Sequence, residues 1–150
     1  MRKRSKKISK IVSLAASEER RYGAATGKSR RNLEEQMARL GELNAYRHGY
    51  SELSQSISNV NSAHWKDYQN FMQRLDHAVK SQQQIVRDSE QNLEMHRRRW
   101  LAKRQRLESL QRVLESYRDQ ETLYAERQQQ RALDDLPSPE SLYADDVGQD

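Results

Sequence analysis

A seven-residue apolar repeat constrains this chain more than any other feature. Met72, Val79, Val86, Leu93, Trp100, Leu107 and Leu114 recur every seventh residue without a break. Tyr68, Leu75, Leu110, Tyr117 and Tyr124 follow the same repeat at an offset, and Gln82, Ser89, His96 and Lys103 fill that second position in the middle. Residues 65–124 contain no proline, glycine or cysteine, so nothing there forces a helix to stop. A repeat of seven sustained this far predicts one coiled-coil helix. Spanning about residues 62–133, that helix is roughly 100 Å long at ~1.5 Å per residue. Such a rod has no concave pocket of its own in which to do chemistry.

The second half needs a partner, and the first half supplies one. Ile8, Ile11, Ala15, Tyr22 and Ala25 keep a three-then-four spacing, and Leu43, Tyr46, Tyr50, Leu53, Ile57 and Val60 resume it. Leu33, Met37 and Leu40 between them are displaced by one residue, which implies a local adjustment of the supercoil. Gly23, Gly27, Gly41 and Gly49 all lie in this segment. Each costs about 1 kcal/mol relative to alanine in a helix interior. The first helix is therefore expected to be the weaker partner, and Gly23→Ala together with Gly27→Ala is expected to stabilise the hairpin if both sit on helical backbone.

The polar run from Ser54 to Ser62 is the one convincing break, because short polar side chains compete with helical hydrogen bonds. Asn61 or Ser62 is a fitting N-cap. Two long amphipathic helices joined by a short connection become antiparallel neighbours. The predicted fold is all-α, an elongated antiparallel two-helix coiled-coil hairpin over residues 1–136. Its first helix covers about 8–57, its turn about 58–62 and its second helix about 62–133. Folding back brings Tyr50 near Met72, Leu43 near Val79 and Ile8 near Leu114. Pro137 and Pro139 close the second helix, and residues 137–150 are expected to form a disordered acidic tail.

Charge is distributed unevenly along the chain. Residues 1–60 carry 13 basic and 6 acidic side chains, residues 61–133 carry 14 and 10, and residues 134–150 carry 6 acids and no Lys or Arg. A basic start and a basic rod thus precede an acidic tail. No apolar run approaches the ~20 residues that span a membrane. The basic start resembles a signal-peptide n-region, but the apolar run from Ile11 to Ala16 is too short to follow it and Glu18 ends it. The absence of cysteine excludes disulfides and fits a reducing compartment. A cytoplasmic protein is expected.

Motifs of catalysis are missing. The stretch Gly23 to Ser29 imitates a P-loop, but that loop requires one more residue between its glycines and a preceding strand. His48, His64, His77 and His96 never pair at metal-ligand spacing. No cofactor, no metal and no enzymatic activity are expected. The aromatic residues Tyr46, Tyr50 and Phe71 cluster near the loop end, where two helices cannot hide so many rings. They are either core residues or a partner surface, in which aromatic side chains are over-represented.

Four segments together resemble the flagellar export protein FliJ family: Leu40, Leu43, Tyr46 and Tyr50; Trp65, Tyr68, Gln69, Phe71, Leu75 and Ala78; Trp100, Lys103, Gln105, Arg106 and Leu107; and Leu133 with Asp134. The resemblance covers roughly Ile8 to Leu136, with order and spacing kept. It implies an antiparallel hairpin similar to the central stalk of rotary ATPases, working in the flagellar type III export apparatus. The implied partners are the hexameric ring of the export ATPase, the cytoplasmic part of the membrane export gate, and export chaperones. The implied location is cytoplasmic and peripheral, at the inner-membrane flagellar base. The residues matching the family's gate-contacting patch are Leu43, Tyr46, Tyr50, Phe71, Leu75 and Ala78. The basic segment Met1–Lys7 and the extension from Pro137 depart from the family pattern.

Two rival readings use the same sequence. The basic start and the cations from Arg97 to Arg104 are suited to lining a nucleic-acid backbone. Against this, the seam continues through Trp100 and Leu107, unlike a basic region that forks free of its zipper. An unrelated structural coiled coil is the third reading. The resemblance favours the export component, with no nucleic acid and no membrane span.

Overall fold

The computed structural model describes residues 2–56 and 62–137. Two helices account for nearly all of them: α1, Arg2–Ser56, and α2, Ser62–Asp134. No described residue lies in a strand. The expected turn, the seam positions Ile57 and Val60, and the acidic segment beyond Pro137 lie outside the described residues. The all-α, two-helix hairpin expected from the repeat is the observed architecture.

Cross-helix bonds set the pairing. Tyr50 meets Tyr68, Gln36 meets Gln82, Asn32 meets Ser89, Thr26 meets His96, and Glu18 meets Lys103. Descending α1 while ascending α2 is the signature of an antiparallel pair. The described residues fall into two compact units, one of residues 17–104 and one joining the segment before Ser17 to the segment after Arg104. Each helix contributes to both.

In α2 the seam is the one the sequence predicts. Leu75, Val79, Gln82, Val86, Ser89 and Leu114 are buried, and Met72, Leu93, His96, Trp100, Lys103, Leu107, Leu110 and Tyr117 are half-buried. Tyr124 departs from it and is exposed. On α1 the seam runs through Ser5, Ile8, Val12, Ala15, Glu19, Tyr22, Thr26, Ser29, Leu33, Gln36, Leu40 and Leu43, all buried or half-buried. Their spacing alternates strictly between three and four, so the one-residue displacement expected near Leu33 is absent from the burial pattern. That expectation arose because polar residues hold seam positions. Ile11, Met37, Tyr46 and Leu53, which look like seam residues by hydropathy, face outward instead.

Polar seam positions are tolerated because most find partners across the interface. The Gln82 side-chain amide donates to both the backbone carbonyl and the side-chain oxygen of Gln36, each at 2.9 Å. Thr26 donates to the carbonyls of Tyr22, at 2.9 Å, and His96, at 3.2 Å. Each such bond contributes about 1 kcal/mol net, and its loss leaves a buried group unsatisfied. Ser29 is the exception, its hydroxyl buried without a partner among the described residues.

α1 starts at Arg2, not near Ile8. No proline or glycine interrupts residues 2–22, and Ser5, Ile8 and Val12 keep the seam in phase. The first turn carries cations and no acidic residue, which opposes the helix macrodipole. Packing rather than capping therefore sustains this end. At the other terminus, the amide of Asp135 donates to the Arg131 carbonyl at 3.0 Å and that of Leu136 to the Leu133 carbonyl at 3.3 Å. Pro137 then has no N–H with which to continue.

The glycines of α1 are not equivalent. All lie on helical backbone with no positive φ. A Cβ on Gly27 would meet nothing within 4 Å, whereas a Cβ on Gly23 would sit 3.0 Å from Trp100 Nε1. That indole nitrogen donates to Glu19 at 2.9 Å, so Gly23 is the space into which Trp100 packs. Gly23 is thus packed against the other helix, whereas Gly27 faces open space. Gly27→Ala is expected to raise stability by about 1 kcal/mol. Gly23→Ala is expected to lower it by about 1 kcal/mol through overpacking against Trp100. Urea unfolding of the two variants beside the parent chain checks both signs.

Candidate partner-binding surface

The candidate surface lies within the unit of residues 17–104, on the stretch of hairpin nearest the connection. Leu43 and Tyr50 of α1 and Met72, Leu75 and Val79 of α2 hold seam positions there. Two helices can bury one stripe each and no more. The large residues next to those stripes stay in solvent, and Tyr46 is 63% exposed, Leu53 52% and Phe71 41%.

Ring contacts tie the two helices together at this end. The Tyr50 and Phe71 rings lie 4.7 Å apart between centroids, tilted by 56°. Tyr68 donates its hydroxyl to the Tyr50 carbonyl at 3.1 Å. Trp65 stacks on Tyr68 at 5.7 Å and remains half-exposed. Tilted and offset ring pairs of this kind add about 0.5–1.5 kcal/mol beyond their burial. Tyr50 thus does two things: one edge belongs to the seam and the other stays accessible.

Along α1, Tyr46, Tyr50 and Leu53 border a shallow groove whose floor is formed by Ala45 and Gly49, with Glu42 at one end. A Cβ at Gly49 would meet nothing within 4 Å, so the groove is open above it. Beside the groove Arg47, at a seam position, pairs with Asp76 at 2.9 Å, both side chains about half-exposed. His48 and Glu52 pair at 3.1 Å on the outer face. Exposed pairs of this kind contribute little stability, about 0–1 kcal/mol.

The six residues proposed for the patch separate into two groups. Tyr46, Tyr50 and Phe71 reach solvent. Leu75 is buried beneath them, and Leu43 and Ala78 are half-buried. The second group supports the surface, whereas only the first is accessible from solvent. Leu53, Ala45 and Gly49 belong to the groove and were not singled out by sequence. Gly49 and Leu53 stand three and seven residues from Tyr46, and Ala45 stands four from Gly49, a helical spacing that is the signal that could have found them. Leu53 was read as a seam residue because it is apolar, and Ser54 occupies that position instead.

The other motifs resolve into structure. The P-loop imitation at Gly23–Ser29 is continuous helix with Thr26 and Ser29 buried, and offers no phosphate cradle. No group of three metal-ligating side chains occurs among the described residues. His96 sits in the seam, while His48, His64 and His77 are exposed. Of the cations offered to a nucleic acid, Lys103 pairs with Glu18 at 3.0 Å and lies over the Tyr22 ring at 5.2 Å. Arg98 pairs with Glu94 at 3.1 Å, and Arg104 lies over Trp100 at 5.4 Å. Part of that basic stretch therefore serves the hairpin itself. No described helix is long and apolar enough to cross a membrane.

Substitution separates support from contact. Leu75→Ala is expected to cost about 2 kcal/mol, in the range for truncating a buried leucine. Tyr46→Ala is expected to stay within about 0.5 kcal/mol of the parent chain, as exposed positions do. Chemical denaturation of both variants checks the contrast.

Residues 5–139 match a family model described as Flagellar FliJ protein. No curated protein and no solved structure gives a match.

Proposed function

The chain belongs to the FliJ family and is a component of flagellar export, and from that premise we propose that it is a non-enzymatic stalk coupling the export ATPase ring to the membrane export gate. One observation carries this reading: Tyr46, Tyr50 and Phe71, which the resemblance implies belong to a gate-contacting patch, stand partly or largely in solvent on a hairpin that cannot bury them. A partner surface built from rings over a rigid coiled coil loses little side-chain entropy on binding. Export chaperones are further partners on the same reading. The protein then acts from the cytoplasm, at the inner face of the membrane where the flagellar base sits.

Its two contacts differ in physics. The ATPase contact involves a basic rod meeting acidic groups inside a ring, at long range and in water, so it should weaken with salt. The gate contact involves burial of aromatic surface, which moderate salt leaves largely unchanged. A hairpin of two helices, each about 10–12 Å across, is narrow enough to enter a ring.

Tyr46→Ala, Tyr50→Ala and Phe71→Ala are each expected to reduce gate binding and swimming while leaving ATPase binding near the parent level. Truncating the chain ends is expected to do the reverse. Circular dichroism first establishes that each variant keeps its helix content, and calorimetry against the purified gate domain and ATPase then reads the two affinities. Folded variants that bind the gate at full affinity would remove the patch from the interface.

A further inference from the structure

Taking Tyr46, Tyr50 and Phe71 as a partner surface, a reading on which this proposal rests, we infer that what covers them is a third helix. It is an amphipathic segment of the partner, laid lengthwise along one flank of the hairpin as far as Ile85.

Cross-helix contacts sort the residues beside the seam onto two flanks. On one, Tyr50 touches Phe71, Asn32 donates to Ser89 at 3.5 Å and Glu18 meets Lys103. On the other, Arg47 meets Asp76 and Gly23 faces Trp100. The two flanks differ in chemistry. On the first, Phe71, Ala78 and Ile85 recur every seventh residue of α2, and Tyr46 and Leu53 stand seven apart on α1. Ile85 is 43% exposed, in the same range as Phe71. On the second flank the equivalent positions are Asp76, Gln83 and Glu90 on α2 and Asn44 and Ser51 on α1, with Met37 the one large apolar side chain of that row. An apolar stripe at intervals of seven, beside an existing seam, is the arrangement by which two packed helices admit another.

The stripe has a definite length. The Tyr50–Phe71 contact and the Asn32–Ser89 contact are separated by eighteen residues on each helix. That is about 27 Å, or some five helical turns. Farther along, Asn92 and Arg99 make the flank polar. Where the stripe ends, Ile85 and Met95 line a recess with Asp88, Ser89 and Asn92, and the last apolar anchor of the covering helix fits there.

Charge narrows the partner further. Glu35 and Glu42 border the stripe on α1, seven residues apart, both exposed and without an ion pair among the described residues. Arg39 interrupts the stripe between them. The complementary helix carries two bases seven residues apart on the edge that faces α1, with an acid between them. Charges at such edge positions set partner choice and orientation in coiled coils.

The chain has no cysteine, so Arg74→Cys and Asp88→Cys, fourteen residues apart on the α2 border of the stripe, each accept one benzophenone crosslinker. The probe is the purified cytoplasmic part of the export gate. A helix along the flank puts the two crosslinked sites about fourteen residues apart in one segment of that protein, whereas an extended strand puts them about six apart. Affinity is read in parallel by calorimetry. Ile85→Ser is expected to weaken binding about tenfold, and Gln83→Ser, on the opposite flank, to leave it within about twofold. Glu35→Lys with Glu42→Lys is expected to weaken it about tenfold at low salt, and unchanged or tighter binding overturns the charge assignment. Parent-level binding by folded Ile85→Ser, with Tyr46→Ala impaired, sinks the third helix and spares the aromatic patch. Parent-level binding by both, or no binding by the parent chain, removes both readings. Crosslinks about six residues apart, crosslinks in unconnected parts of the gate, or crosslinks only between copies of this chain overturn the proposal, and the last assigns the flank to self-association.

Discussion

Mutual burial of two stripes is the constraint from which the rest follows. Neither helix has an apolar face wide enough to stand alone, and α1 opens with cations where its dipole prefers anions. Each stripe exists as structure only because the other covers it. Val79, Val86 and Leu75 on α2, with Ala15 on α1, are among the most covered apolar side chains, and all sit at seam positions. Everything outside the seam is free of that duty. Large apolar residues beside it, Tyr46 and Phe71 among them, must therefore be either tolerated in water or used.

The seam is unusually polar, and this decides how it was read from sequence. α2 was legible almost residue by residue, since its first seam position is apolar from Met72 to Leu114. α1 was legible only in outline. Glu19, Thr26, Ser29 and Gln36 occupy its seam, and a reading by hydropathy drifts from them to Ile11, Met37 and Leu53. What keeps those polar residues inside is pairwise: Gln36 with Gln82, Glu19 with Trp100, Thr26 with the His96 carbonyl. Such partnerships join residues tens of positions apart and leave no local trace. Gly23 is the clearest case. Its meaning lies in a tryptophan on the other helix.

The candidate surface was half legible for the same reason. The clustering of Tyr46, Tyr50 and Phe71 and the inability of two helices to hide them follow from sequence and geometry together. Which members face out does not. Leu75 and Phe71 are four residues apart in one helix, yet one is buried and the other accessible, because the seam angle passes between them. The groove floor of Ala45 and Gly49 escaped notice because small residues register as weakness in a helix, and become a recess only beside large neighbours.

Polar partnerships in the seam also govern what this hairpin refuses. Any amphipathic helix with leucine at the right interval can cover a purely apolar stripe, and cells are full of such helices. A stranger approaching α2 would have to offer an amide acceptor to Gln82, a carboxylate and a gap to Trp100, and a counter-charge to Lys103, all in one order. A helix slid by one heptad along α1 would fail the same tests, placing a side chain where the indole needs emptiness. The seam thus trades binding strength for recognition of a single mate in a single alignment.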